Sequence, residues 1–203
     1  MISHQDSSDL GYPEIRRIQT IVHSFLRGIV REGDWVIDAT AGRGRDTLLL
    51  ARCIGTAGKV FAFDVQEEAI GDTEKLLQAH DLLDRVALNH LDHARLGEVV
   101  NQQVRAVVFN LGYLPGSNHS VTTQPESTLR AIRQALPLLS AGGALILTVY
   151  RGHAGALAEA IQVDQFLTTL PKQEFTVLKG DYLNQGADAP YWIIVQRAGR
   201  EKA

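Results

Sequence analysis

Hydrophobic and polar positions along the chain follow the pattern of a sheet with helices between its strands. Between residues 34 and 150, short apolar runs rich in β-branched residues alternate with segments of helical spacing. This alternation is typical of a parallel sheet with crossover helices. The unbroken hydrophobicity of the runs predicts strands that are buried on both faces. We predict seven strands, over residues 34–38, 59–64, 86–89, 105–110, 144–150, 174–179 and 191–197.

The chain after residue 150 predicts a helix followed by a closing pair of strands. The helix covers residues 154–170, and the short connection between the last two strands makes them antiparallel. We therefore expect an α/β fold with a mostly parallel seven-stranded sheet, an antiparallel last strand and helices on both faces. The length of 203 residues suits a single domain, residues 1–203, that includes an N-terminal helical segment at 1–33.

One helix has clear boundary signals, and we predict it over residues 124–139. Thr123 and Glu126 have the spacing of a capping box, and Pro125 fits the first helical turn. Gly142 and Gly143 then predict its end, and Pro137 should distort its last turn.

The first helix has two different faces. Its apolar face consists of Ile15, Ile18, Val22, Phe25, Leu26 and Ile29, and its opposite face carries Arg16, His23, Arg27 and Arg31. The basic face is either solvated or a stripe that contacts phosphates.

Composition narrows the class of protein. The formal net charge of -3 argues against a non-specific nucleic-acid binder but leaves room for a local basic patch. Cys53 is the only cysteine, which fits a reducing cytoplasm and excludes a disulfide framework. No apolar run approaches the length of a membrane span, and the N-terminus lacks the pattern of a secretion signal. We expect a cytoplasmic protein with neither a metal nor a membrane partner.

A glycine-containing turn follows the first predicted strand. The strand ends at Asp38, the chain turns through Gly42 and Gly44, and a helix then begins. Glycines let the backbone approach a ligand closely, and the helix N-terminus presents free N–H groups. Asp64 ends the next strand, in the position from which a carboxylate can accept both hydroxyls of a ribose. This segment predicts a nucleotide-type ligand, although a tight turn without a ligand gives the same pattern.

Two ligand classes fit this layout, and the residues favour one of them. A dinucleotide fold requires a third small residue where Thr47 stands, and the Asp38 carboxylate would repel a pyrophosphate. The same carboxylate suits the ammonium group and the sulfonium cation of S-adenosylmethionine. Asp92, after the third strand, is a candidate partner for the adenine amino group, although it could equally cap a turn.

The loop after the fourth strand runs from Asn110 to Ser120 and contains Gly112, Pro115 and Gly116. In an open α/β sheet, this loop should cover the transferable methyl group. Many amino-methylating enzymes carry Asn-Pro-Pro-Tyr here, whereas Leu111 and Gly112 replace the prolines in this chain. Adenine or glutamine therefore cannot simply be assumed as the acceptor.

Five motifs together resemble one family. They are Asp38-Ala39-Thr40-Ala41-Gly42-x-Gly44-x-Asp46-Thr47, Phe63-Asp64-x-Gln66, Asn110-Leu111-Gly112-Tyr113-Leu114-Pro115-Gly116, Tyr150-x-Gly152-His153 and Asn184-Gln185. The chain is similar to the rRNA methylase family that includes the tRNA 5-aminomethyl-2-thiouridine methyltransferases. The resemblance implies a Rossmann-like class I methyltransferase fold and S-adenosylmethionine as cofactor. It also implies N-methylation of the 5-aminomethyl group on wobble uridine, with the anticodon arm of tRNA as partner.

Site residues follow from the motifs and this resemblance. We expect the cofactor to contact Asp38, Ala39, Thr40, Gly42, Gly44, Asp46, Thr47, Asp64, Gln66, Asp92, His93 and Asn110. Leu114, Pro115, Gly116, His119, Tyr150, Asn184 and Gln185 are the predicted substrate-binding residues.

Methyl transfer requires a neutral amine, which makes His153 the candidate general base, unless it is a hydrogen-bonded structural residue. Asn110 and Tyr113 complete the predicted catalytic set. Tyr113 and Tyr150 either line the base or belong to the core.

Two alternatives to this function remain open. One keeps the cofactor but takes rRNA or a small-molecule amine as acceptor, and the other is a binding module without turnover. The sequence leaves a monomer and a homodimer equally open.

Overall fold

The computed structural model describes residues 15–114, 121–152 and 155–199. Seven strands form one sheet: β1 (Trp35–Asp38), β2 (Lys59–Asp64), β3 (Val86–His90), β4 (Val104–Leu111), β5 (Leu139–Val149), β6 (Phe175–Gly180) and β7 (Tyr191–Arg197). The helices are α1 (Ile18–Ile29), α2 (Arg45–Cys53), α3 (Glu67–Gln78), α4 (Leu96–Val99), α5 (Pro125–Leu138) and α6 (Ala156–Thr168). Within the described residues, no helix is long and apolar enough to cross a membrane.

The strand order confirms the predicted fold class. It is β3-β2-β1-β4-β5-β7-β6, with β1 to β5 parallel and β7 antiparallel to both of its neighbours. The chain builds outward from β1 to β3 in one direction and then from β4 in the other. The strand order therefore reverses between β1 and β4, which is where open α/β sheets leave a crevice for ligands.

Two apolar layers cover the two faces of the sheet. Val36, Ala106 and Ile146 pack with α1, α2 and α3, whereas the alternate residues Ile37 and Val107 pack with α4, α5 and α6. Because successive side chains of a strand point to opposite faces, strands that are apolar throughout must be covered on both sides. The continuous hydrophobicity of the runs in the sequence has this physical cause.

Of the boundary signals predicted for α5, Pro125 is confirmed as its first residue, whereas the capping box and the glycine stop are wrong. Gln124 is the residue at its N-terminus, no side chain caps it, and the Thr123 hydroxyl instead donates to Glu159. The helix ends at Leu138, one residue after Pro137, so the glycine pair does not terminate it. Gly142 and Gly143 lie inside β5, which begins earlier than predicted, and a Cβ atom on Gly143 would lie 2.9 Å from the carbonyl of Arg105 in β4.

The N-terminal helix is shorter than its apolar pattern suggests. Ile15 precedes α1 and is largely exposed, whereas Ile18, Val22 and Leu26 are buried against the sheet. The helix contacts β4, β5 and β7, which brings its polar side to the carboxyl edge of the sheet beside the start of α2.

Candidate active site

Two neighbouring clefts open at the carboxyl edge of the sheet, where the strand order reverses. The first cleft, of about 240 Å³, is lined by residues that follow β1, β2, β3 and β4. The second cleft, of about 570 Å³, lies between α1, the start of α2 and the segments that follow β4 and β5. Gly42, Asn110 and Tyr113 line both clefts, so the two cavities meet at these residues.

Asp38 is a fully buried carboxylate beneath the glycine turn. One of its oxygens accepts the backbone N–H of Thr40 at 3.2 Å, and the other accepts the hydroxyl of Thr47 at 2.6 Å. Burial, together with the nearby charge of Asp46, raises the pKa of Asp38 to about 7. A carboxylate held in this way is stabilised by a cation, so the site fits the ammonium or sulfonium group that the sequence suggested.

Asp64 joins the glycine turn to the end of β2. Its carboxylate accepts the backbone N–H groups of Gly42 and Gln66, each at 2.9 Å. The backbone of Gly42 has a φ of 52°, which favours glycine, and a Cβ atom there would touch the side chain of Leu114 at 3.4 Å. The turn is therefore a cradle that only a residue without a side chain leaves open.

Gly44 immediately precedes α2 and lies in the left-handed region, at φ 76°. A Cβ atom on this residue would lie 3.0 Å from Thr73 of α3, so the turn and α3 pack without any space to spare. The Thr73 hydroxyl also donates to the carbonyl of Gly42 at 3.0 Å, which joins the glycine turn to α3.

Asp92 and His93 close the far end of the first cleft. Asp92 accepts the backbone N–H of Ala94 at 2.8 Å, so it does cap a turn while lining the cleft. His93 contacts the carbonyl of Ala39 through Nδ1 at 3.2 Å, and burial lowers the pKa of its imidazole. Its Nε2 is buried without a hydrogen-bond partner among the described residues. Because His93 lines the first cleft, a polar ligand group bound there would satisfy this nitrogen.

Glu159 of α6 holds in place the segment before α5, which lines the first cleft. It is almost completely buried, and its two carboxylate oxygens accept the hydroxyls of Thr123 at 2.7 Å and Thr128 at 2.6 Å. The backbone N–H of Thr123 also donates to the carbonyl of Gly112 at 2.9 Å. This network ties the segment before α5, which lines the first cleft, to the loop that follows β4.

Asp46 is the charged group at the floor of the second cleft. One of its oxygens lies 2.6 Å from Nε2 of His23, and the other accepts the Asn110 amide N–H at 2.7 Å. The backbone N–H of Asn110 donates to the Thr40 hydroxyl at 2.7 Å. The amide is thereby oriented with its carbonyl oxygen as the remaining acceptor.

Tyr150 forms one side of the second cleft, and Gly112 permits its position. A Cβ atom on Gly112 would lie 3.3 Å from that of Tyr150, so a larger residue would displace the ring. Gln19 of α1 donates to the phenolic oxygen. Burial and the charge of Asp46 raise the pKa of Tyr150 to about 12, which keeps the hydroxyl protonated and excludes it as a base at neutral pH.

The predicted site residues do not all meet at one cleft. Tyr113 and Leu114 line the first cleft. Most of the predicted cofactor residues line it as well, namely Ala39, Thr40, Gly42, Asp64, Gln66, Asp92, His93 and Asn110. Asp38, Gly44 and Thr47 lie behind this lining, and Asp46 and Tyr150 line the second cleft. Asn184 and Gln185 are exposed in the loop between β6 and β7, and neither cleft includes them. His153, Pro115, Gly116 and His119 lie outside the described residues.

The sequence did not identify four polar groups of the second cleft or its surroundings. His23 belongs to the basic face of α1, for which solvation and phosphate contact both stayed open. Arg151 is the unspecified position of the motif Tyr150-x-Gly152-His153, and Gln19 and Asp188 carried no prediction. The place of His23 on the basic face of α1 was the available signal.

Comparisons with known proteins agree with this architecture. Residues 60–196 match the family model described as "Putative rRNA methylase". The chain is 38% identical, over 180 residues, to the chloroplastic tRNA (mnm5s2U34)-methyltransferase of Arabidopsis thaliana. That match covers 84% of this chain and 66% of the plant protein, so the chain spans slightly less than two thirds of its relative.

Solved structures with similar folds include two bacterial proteins. A "putative rRNA-methylase" from Clostridium thermocellum superposes with a TM-score of 0.86 at 37% identity, covering 88% of this chain and 96% of that one. A "putative methyltransferase" from Streptococcus mutans, solved in complex with SAH, gives a TM-score of 0.82 at 36% identity and covers 91% and 99% of the two chains. From its matching family model, its strand order and its acidic cleft, the chain belongs to the rRNA methylase family of class I methyltransferases.

Proposed function

We propose that this chain, as a single domain, is an S-adenosylmethionine-dependent methyltransferase. It methylates the 5-aminomethyl group of wobble uridine, or its 2-thio form, in tRNA. The meeting of the two clefts at Asn110 and Tyr113 is the observation that carries this proposal. A methyl donor in one cleft and an acceptor in the other would approach each other there, and holding the two reactants in line supplies much of the catalysis.

The first cleft has the polar groups that the cofactor requires. S-adenosylmethionine supplies an electrophilic methyl group on a positively charged sulfur. Asp38 would balance the charge of its amino-acid end, Asp64 would accept the ribose hydroxyls, and Asp92 with His93 would bind adenine. The relative from Streptococcus mutans was solved with SAH, the product that such a cofactor leaves behind.

The second cleft has the groups that an aminomethyl uridine requires. Tyr113 and Tyr150 offer aromatic surface for an unstacked base, and the Asn110 amide oxygen can accept an N–H from the amine. Asp46 lies beside that amide and attracts a cationic substituent. Arg43, Arg45 and Arg151 lie at the same cleft, where cationic side chains suit the phosphates that flank the base.

Nucleoside mass spectrometry tests the proposal directly. Transfer RNA that carries 5-aminomethyl-2-thiouridine is incubated with the purified protein, with and without S-adenosylmethionine. We expect the singly methylated amine to form only when the cofactor is present. Parallel reactions with rRNA and with the free nucleoside separate the alternatives, because an enzyme for small amines would convert the nucleoside as fast as the tRNA. Binding of the cofactor without product on any of these acceptors would refute the proposal.

A further inference from the structure

The amine of the proposed acceptor must lose a proton before it can be methylated. A primary aliphatic amine resembles the lysine side chain, whose pKa is about 10.4, so it is protonated at neutral pH. An ammonium nitrogen has no electron pair to attack a methyl group, and a group at the cleft must therefore take its proton. Tyr150 is itself protonated at neutral pH, so it does not serve.

We propose that Asp46 accepts the proton of the acceptor amine and that His23 of α1 is the positioning residue that holds Asp46 for this step. This inference rests on the proposed function, since it concerns the amine of that substrate. Asp46 lines the second cleft and lies against Asn110, the residue at which the two clefts meet. His23 contacts Asp46 but does not line the cleft.

The geometry holds Asp46 in one orientation. Nε2 of His23 and Nδ2 of Asn110 lie 2.6 and 2.7 Å from its two oxygens, so each oxygen has one partner from a different element. A carboxylate oxygen has a second lone pair, which leaves room for an N–H from the substrate. The two contacts therefore aim the carboxylate without saturating it.

Burial shields Asp46 from bulk water. The side chain of Asp46 is only 10% exposed, so an ammonium group that reaches it meets the carboxylate directly, with little water between them. Other titratable or charged groups lie around the pair: Asp38 from β1, Arg45 from α2 and Tyr150 after β5.

Proton transfer and methyl transfer each break one bond and form another. The N–H bond of the ammonium breaks and an O–H bond forms on Asp46, which leaves the electron pair on nitrogen. That pair forms the new N–C bond while the C–S bond breaks and its electrons remain on sulfur. The methylated product carries one positive charge, and Asp46 releases its proton to water when the product leaves the cleft.

Three variants test the assignment in the tRNA methylation assay, as kcat between pH 7 and pH 9.5. We expect Asp46→Asn to lower kcat at pH 7 on the order of 100-fold. We expect His23→Leu, which removes the contact to Asp46, to lower it about 10-fold. His23→Gln keeps an N–H donor and should recover most of that loss. Both defects should shrink as the pH rises, because a growing fraction of the amine is then already neutral.

Two controls separate this role from a structural one. His80→Gln removes an exposed histidine far from both clefts and should leave kcat unchanged. Calorimetry should give the same dissociation constant for S-adenosylmethionine in the wild type and in both His23 variants. A rate loss that is equal at every pH, or that comes with weaker cofactor binding, would overturn the inference.

The outcome also distinguishes the two proposals. A wild-type enzyme that methylates tRNA while the Asp46 and His23 variants keep its rate and pH profile would overturn this inference alone. A wild-type enzyme that binds the cofactor and forms no product would overturn the proposed function, and with it a proton step that concerns the same amine.

Discussion

The two clefts differ in how the chain builds them. The acids of the first cleft sit at or just after the ends of consecutive strands: Asp64 and Asp92 line the cleft, and Asp38 lies behind its lining. The second cleft collects Gln19 from α1, Asp46 from α2, Tyr150 from the end of β5 and Asp188 from the last loop. A site of the first kind can be predicted from the sequence. A site of the second kind can be predicted only when the packing of α1 against the sheet is known.

The difference extends to electrostatics. Behind the lining of the first cleft, the buried carboxylate of Asp38 lowers the stability of the protein until a cation binds beside it. In the second cleft, Asp46 already has two partners from the protein, and arginines stand nearby. Substitutions in the first cleft should therefore alter cofactor affinity and the stability of the protein without ligand. Substitutions in the second should alter turnover and RNA affinity.

The largest effect is expected from Asp38→Asn. The pKa of Asp38 is about 7 in the folded protein and 3.8 in the reference state, so the ionised form destabilises the fold above pH 7. This penalty fades as the pH falls from about 7 towards 3.8, and the amide lacks it at every pH. Without cofactor at pH 8, the variant should be more stable by on the order of 3 kcal/mol. It should also bind S-adenosylmethionine weakly.

Urea unfolding at pH 5 and pH 8 measures the stability effect. The gain over the wild type should be larger at pH 8, and an equal gain at both pH values would contradict the electrostatic explanation. Calorimetry of the wild type should in turn show weaker cofactor binding as the pH falls below about 7, because protonated Asp38 no longer attracts a cation.

Asp64→Ala should weaken cofactor binding about 100-fold, since hydrogen bonds to a charged group are worth about 1.5–3 kcal/mol. The variant also loses the acceptor for the N–H groups of Gly42 and Gln66, which loosens the turn. Calorimetry with S-adenosylmethionine measures the change. Asp84→Ala, at the opposite edge of the sheet, is the matched control and should bind normally. Unchanged affinity in Asp64→Ala would mean that the first cleft does not hold the ribose.

Glu159→Gln should lower the free energy of unfolding by about 1–2 kcal/mol, because an amide can accept only one of the two threonine hydroxyls through its oxygen. Thr123 lines the first cleft, so cofactor binding should weaken slightly as well. Denaturant unfolding and calorimetry on one preparation give both quantities. A stability loss without any change in affinity would show that Glu159 supports the core but not the cleft wall.

Arg45→Ala should have the smallest effect and sharpen the assignment of the second cleft to RNA. Arg45 is exposed at this cleft, and loss of one phosphate contact should reduce the salt dependence of tRNA binding by about one unit of slope. Binding titrations at several salt concentrations measure it. Lys172→Ala, between α6 and β6 on the opposite edge of the sheet, controls for general charge. Equal slopes for the two variants would argue that RNA does not reach this cleft.

Local signals explain which predictions held. The central strands follow from apolar runs, because a strand covered on both faces is apolar along most of its length, whereas β6 is exposed over most of its residues. The capping box predicted for α5 was wrong because Thr123 makes a tertiary contact instead. Its hydroxyl donates to Glu159, a side chain 36 positions later in the chain. The glycine pair failed as a stop signal because both residues belong to β5, where a side chain on Gly143 would crowd the carbonyl of Arg105 in β4.

The sequence alone determined the sheet, the glycine turn and the acids at successive strand ends, because each depends on neighbours within a few residues. Only the tertiary structure decided that His23 leaves the solvated face of α1 to meet Asp46, and that Asn110 joins the two clefts. The physical reason is that burial and charge pairing act between side chains close in space. A residue's position in the chain says little about which carboxylate it will face.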